Sequence, residues 1–295
     1  MFVDICKKLN FPAESIPVLE AALRTIEADA SAAADLKAAC DSLLCPNSRK
    51  YLPRLQAIAD KTGIHRYTVD MVVLLKAAER MPEQYAARGL PEDVLWDSME
   101  DLKFKLIECW DCYGIWGTFV TEWFPRFFIC DRFKLGRLEF EPSYYYQTPD
   151  YKGIIKDGDP AVGIHIPSGE PLKREAVLDA LHRAYEFYSD RRVGNVMAFV
   201  CHSWLLYPPL YEEVFPKGGN LQQFYELFDV SDPHPSENNG DFWRVFNRNF
   251  SPEALDEVVG DTRMRKNLIT FLKEGKCMGY AFGIILYDGE KIINQ

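Results

Sequence analysis

The sequence predicts an α+β protein with α/β character in its second half. An all-helical N-terminal domain is expected over residues 1–118 and a sheet domain over residues 119–295. Three observations carry this. Apolar residues recur at helical spacing through the first part, as in Leu95, Met99, Leu102, Leu106, Cys109 and Trp110. From about Thr118 the apolar period becomes that of strands. One amphipathic helix after Pro171 then stands between strand-like runs, an order that builds a sheet with helices packed on it.

The elements follow in order. A helix is expected from Ile16-Pro17 through Leu19, Leu23 and Ile26, with an alanine-rich continuation to Leu44. Arg54–Thr62 forms a short helix stopped by Gly63, and Tyr67–Arg80 a strongly apolar one. Pro91 fits the first position of the next helix, and Gly114 and Gly117 end it. Phe127–Cys130, Leu135–Glu141 and Ala161–Ile166 read as strands. Leu172, Val177, Leu181, Tyr185 and Tyr188 line one side of the helix opened by Pro171. Asn195–Leu206 is the central strand. Leu221–Val230 reads as helix or loop and then strand, and Ser231–Asn239 as a loop rich in Pro, Asn and Ser. Ser251-Pro252 starts a short helix. Asp261 or Thr262 caps another, which ends at Gly275. Asp288-Gly289 between apolar runs marks a closing hairpin.

Composition narrows the function. The 295 residues are 47% hydrophobic, enough for a large core and two domains. The net charge is −10 and the pI about 5.1, which argues against a nucleic-acid partner. No run approaches a membrane span, so no membrane partner is expected. Met1-Phe-Val-Asp-Ile-Cys-Lys-Lys lacks the apolar stretch of a secretion signal. The eight cysteines are therefore expected as reduced thiols in the cytoplasm. Cys109-Trp-Asp-Cys112 has metal or redox spacing, but no second pair completes a site, so no metal is expected.

Three segments set ionisable residues beside strand residues. In Leu135–Glu141, alternation puts Arg137, Glu139 and Glu141 opposite Leu138 and Phe140. The charged face is either half-solvated or the wall of a cleft in which a carboxylate removes a proton; Arg137 could orient a carboxylate or bind an anion. In Ala198–Leu210, Val200, His202 and Trp204 share one face, with Cys201 and Ser203 on the other. Adjacent residues therefore form no nucleophile–base pair, and no Gly-x-Ser-x-Gly elbow is present. His202 is a core residue or a site residue, and Trp204 packs or stacks a ligand. His165 precedes Ile166-Pro-Ser-Gly169 at the entry to a helix, as a turn residue or a site residue.

These segments carry a family resemblance. His202-Ser-Trp-Leu-Leu206 with Pro208, Leu135-Gly-Arg-Leu-Glu-Phe-Glu141 and His165-Ile-Pro-Ser-Gly169 resemble the C-terminal domain of bacterial GNAT-like acyltransferases. In that family a helical domain comes first. The resemblance implies a mixed-sheet C-terminal domain and direct transfer of an acyl group, acetyl being the expected one, from acyl-CoA to an amine. The acceptor would be a small-molecule amine or a peptide. Glu139 or Glu141 would act as base, His202 would act at the reacting centre, and Arg137, His165, Ser203 and Trp204 would line the acceptor side. GNAT enzymes commonly hold the CoA pyrophosphate with an Arg/Gln-x-x-Gly-x-Gly/Ala loop, which is absent after His202-Ser-Trp. The nearest glycine loop is Lys217-Gly218-Gly219-Asn220. Arg263 and Arg265 at a predicted helix start are a second candidate for phosphate, because cations there oppose the helix dipole. A non-catalytic acyl-CoA-binding or regulatory module is the alternative reading.

Overall fold

A computed structural model describes residues 1–46, 48–147, 150–236, 242–248 and 252–294. The chain divides into two compact units, Met1–Phe133 and Lys134–Gln295.

The first unit is helical: α1 (Phe2–Lys8), α2 (Ser15–Ala28), α3 (Ala30–Leu43), α4 (Tyr51–Thr62), α5 (Arg66–Ala78), α6 (Met81–Ala87), α7 (Glu92–Met99), α8 (Asp101–Tyr113) and α9 (Pro125–Phe128). Helix α5 is apolar nearly all round and is the buried axis, packed by α1–α4 and α8. Asp29 separates α2 from α3: its backbone is extended and its Oδ1 accepts from the Ala32 amide at 2.8 Å. Gly63 and Gly114 end α4 and α8 in the left-handed conformation.

Two expectations are corrected here. Pro91 is the extended residue before α7 and not its first helical residue. Phe127–Cys130 is not a strand: Pro125 opens the short helix α9, and Phe124, Phe127 and Phe128 fall on its buried side at helical spacing.

The second unit holds a six-stranded sheet of order β1-β2-β3-β4-β6-β5. The strands are β1 (Phe133–Leu135), β2 (Leu138–Tyr144), β3 (Pro160–His165), β4 (Met197–Ser203), β5 (Asp229–Pro235) and β6 (Gly279–Tyr287). The sheet is mixed: β3 and β4 are parallel, whereas β2–β3, β4–β6 and β5–β6 are antiparallel. Helix α10 (Arg174–Phe187) makes the crossover between β3 and β4. It covers the face carrying Phe140, Phe199 and Tyr287, where the Tyr188 hydroxyl donates to the Phe140 carbonyl at 2.9 Å and Tyr185 meets Tyr287 edge-on. Helices α11 (Pro208–Glu213), α12 (Asn220–Tyr225), α13 (Phe242–Phe246) and α14 (Arg263–Lys273) complete the unit.

Tertiary pairing overrode local pattern at three places. Leu135–Glu141 is a hairpin, not one strand: Gly136 takes a φ of 68° and turns β1 into β2. The central strand stops at Ser203; Trp204–Leu206 is a 3-10 turn, and Pro208 and Pro209 begin α11. Ser231–Pro235 belongs to the edge strand β5, with a bulge between Ser231 and His234. An edge position tolerates its prolines because one side of the strand needs no donors. Residues 237–239 of the expected loop and the expected Ser251 cap lie outside the described residues, and Pro252–Glu257 form a 3-10 turn.

Candidate active site

The face of the sheet opposite α10 carries the ionisable residues. Pairing fixes which side chains share it, since directly paired residues point the same way. Glu139 pairs with His165 and Glu141 with Gly163; Gly163 pairs with Val200, Val200 with Ile284, and His202 with Phe282. Glu139, Glu141, His165, Val200 and His202 therefore lie on one face, which keeps Glu139 with Glu141 and Val200 with His202 as the alternation predicts. The face is not half-solvated throughout, because Glu139 is fully buried. His165 Nε2 stands 3.1 Å from Glu141 Oε1, the two side chains being 28% and 15% exposed. Carboxylates out of bulk water beside an imidazole can accept and pass on a proton.

The ladder between β3 and β4 is short. It covers Val162–Gly163 against Phe199–Val200, yet the strands run on to His165 and Ser203. Neither Pro160–Ala161 with Met197–Ala198 nor the residues beyond Gly163 and Val200 belong to that register; the stretch beyond Val200 is here termed the wedge. The chain leaving β3 runs through residues 166–173 into α10, so the start of this 14-residue helix stands at the wedge end of the parallel pair. Arg137 braces that connection: its Nη1 donates to the Pro167 carbonyl at 2.9 Å and its Nε to the Glu170 carbonyl. Burial lowers the Arg137 pKa, opposed by the charges of Glu139 and Glu170. The fork expected to orient a carboxylate or bind an anion is thus turned to backbone carbonyls.

Lys173 and Arg174 sit at the first turn of α10, are exposed, and form no ion pair among the described residues. Sequence reasoning passed them over. The dipole argument that singled out Arg263 and Arg265 applies to them with equal force, and they lie at the end of the connection from β3.

On β4, His202 is exposed and stacks on His234 of β5 (centroids 5.1 Å apart) and on Tyr280 of β6 (5.6 Å). Partial burial and then the neighbouring His234 hold its pKa below the ordinary value of 6.5, opposed by Asp232. His202 is therefore a surface residue of the carboxylate face, not core. Ser203 points the other way, and its Oγ accepts from the Leu205 amide at 3.2 Å. It caps the 3-10 turn that ends β4. Trp204 lies in that turn, off the strand face it was expected to share, edge-on to Phe215. Cys201 is buried on the α10 side, and burial pushes its thiol up to about 12, which leaves no thiolate for nucleophilic attack.

The predicted phosphate groups fare differently. Asn220 starts α12, and the turn before it is closed on itself: the Gly218 amide donates to Gln222 Oε1 at 2.8 Å and the Gly219 amide to the Pro216 carbonyl at 2.9 Å. The Gly218 and Gly219 amides are thus engaged within the turn. Thr262 caps α14 as expected, but Arg265 is committed to Asp261 (two contacts of 2.9 Å) and to the Val245 carbonyl (2.7 Å). Arg263 is exposed, and the structure brings neither arginine to the carboxylate face.

A helical first unit is thus followed by a mixed sheet with a short parallel ladder and a carboxylate face beside it. Residues 132–285 match the GNAT-like C-terminal domain and residues 2–130 the N-acyltransferase N-terminal domain. The chain belongs to this family of acyltransferases. No curated protein matches it by sequence. Among solved structures it resembles an acyltransferase in complex with decanoyl-CoA and teicoplanin, at 22% identity and a TM-score of 0.69 over 95% of this chain and 86% of that one. It also resembles an acyltransferase in complex with CoA and 10C-teicoplanin (23%, TM-score 0.70, 95% and 86%). A third is a mutant acyltransferase with octanoyl-CoA (23%, TM-score 0.69, 95% and 86%). Identities this low speak to the fold.

Among the described residues no helix is long and apolar enough to cross a membrane, and no three His, Cys, Asp or Glu side chains gather as a metal set. All eight cysteines are free, including buried Cys109 and half-buried Cys112.

Proposed function

We propose that this protein transfers an acyl group from acyl-CoA to an amine by direct attack, with the reaction centred on the β3/β4 wedge. The observation that carries the reading is the short parallel ladder, open at its C-terminal end, with a carboxylate pair on one side of the sheet and a helix start following β3. The pantetheine arm is placed along the ends of β3 and β4 beyond their registered step, and the CoA phosphates at the start of α10 with Lys173 and Arg174. The thioester then faces Glu139, Glu141 and His165. The amine attacks the carbonyl carbon, the new N–C bond replaces C–S, and the leaving sulfur ends as the CoA thiol. Glu141, paired with His165, takes the proton the amine must lose; Glu139 stands fully buried beside it on the same face. His202 stands at the mouth with its neutral imidazole. Holding both reactants in this geometry supplies much of the acceleration.

The acceptor is proposed to be a small-molecule amine or a peptide. The glycopeptide held by one similar structure supports a sizeable acceptor. Eight free thiols support a reducing, cytoplasmic setting. The test is release of CoA thiol from an acyl-CoA panel with mixed amines and peptides, read together with the mass of the acylated product. Binding without thiol release or product would favour the acyl-CoA-binding module; no binding would remove the proposal.

A further inference from the structure

Three glycines lie inside strands: Gly163 in β3, and Gly279 and Gly283 in β6. Packing accounts for two of them. A Cβ at Gly279 would stand 2.5 Å from the His234 carbonyl oxygen, and one at Gly283 2.6 Å from Leu206 Cδ1. Gly163 is different. Its φ is not in the left-handed region. A Cβ built on it would meet Glu141 Cγ at 3.4 Å and Ser143 Cβ at 3.6 Å, both ordinary contacts. Glycine weakens a strand interior and commonly marks a place where a ligand comes close to the backbone. Neither the backbone nor the described packing asks for glycine here, and the position lies between Glu141 on β2 and Val200 on β4, at the last paired step before the wedge.

The other half of the same face is filled from above. The excursion between β2 and β3 lays Tyr145 and Ile155 against Ala161, Ala198, Val200, Ile284 and Leu286. Ile155 is fully buried. The excursion is pinned by backbone bonds: the Tyr145 amide to the Asp159 carbonyl at 2.9 Å, the Gly158 amide to the Tyr145 carbonyl at 2.7 Å, and the Tyr151 amide to the Ile155 carbonyl at 2.7 Å. Lys152 adds an ion pair to Asp229 of β5 at 3.1 Å.

We propose that Gly163 is the point where the acyl chain of acyl-CoA crosses the carboxylate face, and that Ile155 and Tyr145 form the end wall that limits it to a short chain. The inference rests on the acyl-transfer reading above. Gly163, buried like Val200 beside it, adds no side chain between Glu141 and Val200, where the carbons next to the thioester carbonyl pass; the pinned excursion stops the chain beyond them. This sets the chain apart from the similar structures that hold octanoyl- and decanoyl-CoA.

The experiment measures kcat/KM for acetyl-, butyryl-, hexanoyl-, octanoyl- and decanoyl-CoA, with calorimetric binding of each. The wild type is expected to favour acetyl- and butyryl-CoA. Gly163→Ala should raise the acetyl-to-hexanoyl ratio by about tenfold or more, the selectivity a methylene-sized change in an apolar pocket brings. Ile155→Ala should lower that ratio by a similar factor, and Ile155→Val should do so partially if the alanine variant folds poorly. A purely structural loss lowers all chain lengths together, so the ratio separates the two. A wild type that prefers octanoyl- or decanoyl-CoA, or variants whose profiles run parallel to wild type, overturns the inference while leaving acyl transfer standing. No binding of any acyl-CoA removes both.

Discussion

Replacing Arg137 tests the link between the hairpin and the proposed phosphate end of the site. Its guanidinium holds the Pro167 and Glu170 carbonyls, the chain between β3 and α10. Hydrogen bonds from a charged group contribute about 1.5–3 kcal/mol each, and because Arg137 is partly exposed its two bonds together are discounted to the value of about one. Arg137→Met should therefore loosen residues 166–173 by about 1.5–3 kcal/mol in all. If that order is a condition for binding CoA, Kd rises about 10–100-fold, since 1.4 kcal/mol is a factor of ten. The fold should persist, with Tm lower by about 2–4 °C per kcal/mol lost. Arg137→Lys keeps the charge without the fork and should fall between. Titration calorimetry with CoA and a thermal melt read both quantities. A lowered Tm with unchanged CoA affinity would make Arg137 a brace of the fold alone and refute the reasoning.

Other outcomes follow from the same geometry. In the turnover assay Glu141→Gln should lose about 10²–10⁴-fold in kcat with its fold intact; near-wild-type rates would remove it as the base. Lys173→Ala with Arg174→Ala should raise KM for acyl-CoA more than it lowers kcat, because phosphate contacts are made equally in ground and transition states, whereas Arg263→Ala should leave KM as it was. Because the folded His202 pKa lies below 6.5, its contribution to stability is full above that pH and is lost as pH falls through the folded value. Urea midpoints measured across this range should show a flatter acid limb in His202→Gln, and an unaltered limb would assign the shift elsewhere.

Much of the architecture was legible because hydrophobic period reports burial directly. Val69–Leu75, the α10 stripe and the Thr262 cap could be read residue by residue, and strand alternation put Glu139 with Glu141, and Val200 with His202, on one face of their own strands; strand pairing joins the two faces. Where the reading failed, long-range pairing decided the outcome. Ser231–Pro235 looks like a loop until β6 supplies its partner. Gly136 separates β1 from β2, although alternation runs through it without a visible break. The glycine turn at Lys217–Asn220 has the composition of a phosphate cradle, but its Gly218 and Gly219 amides bond to Gln222 and Pro216, which composition cannot show. The short β3/β4 ladder is invisible in sequence for the same reason.

The central claim is that acyl-CoA enters between the ends of β3 and β4 with its phosphates at the start of α10. Amide hydrogen exchange with and without CoA tests it most directly. Protection should appear at Ile164–Ser168, at Arg174–Glu175 and at Cys201–Ser203, the two edges of the wedge and the helix start. Protection confined to Lys217–Asn220 or to Asp261–Lys266, with the wedge edges unchanged, would contradict it.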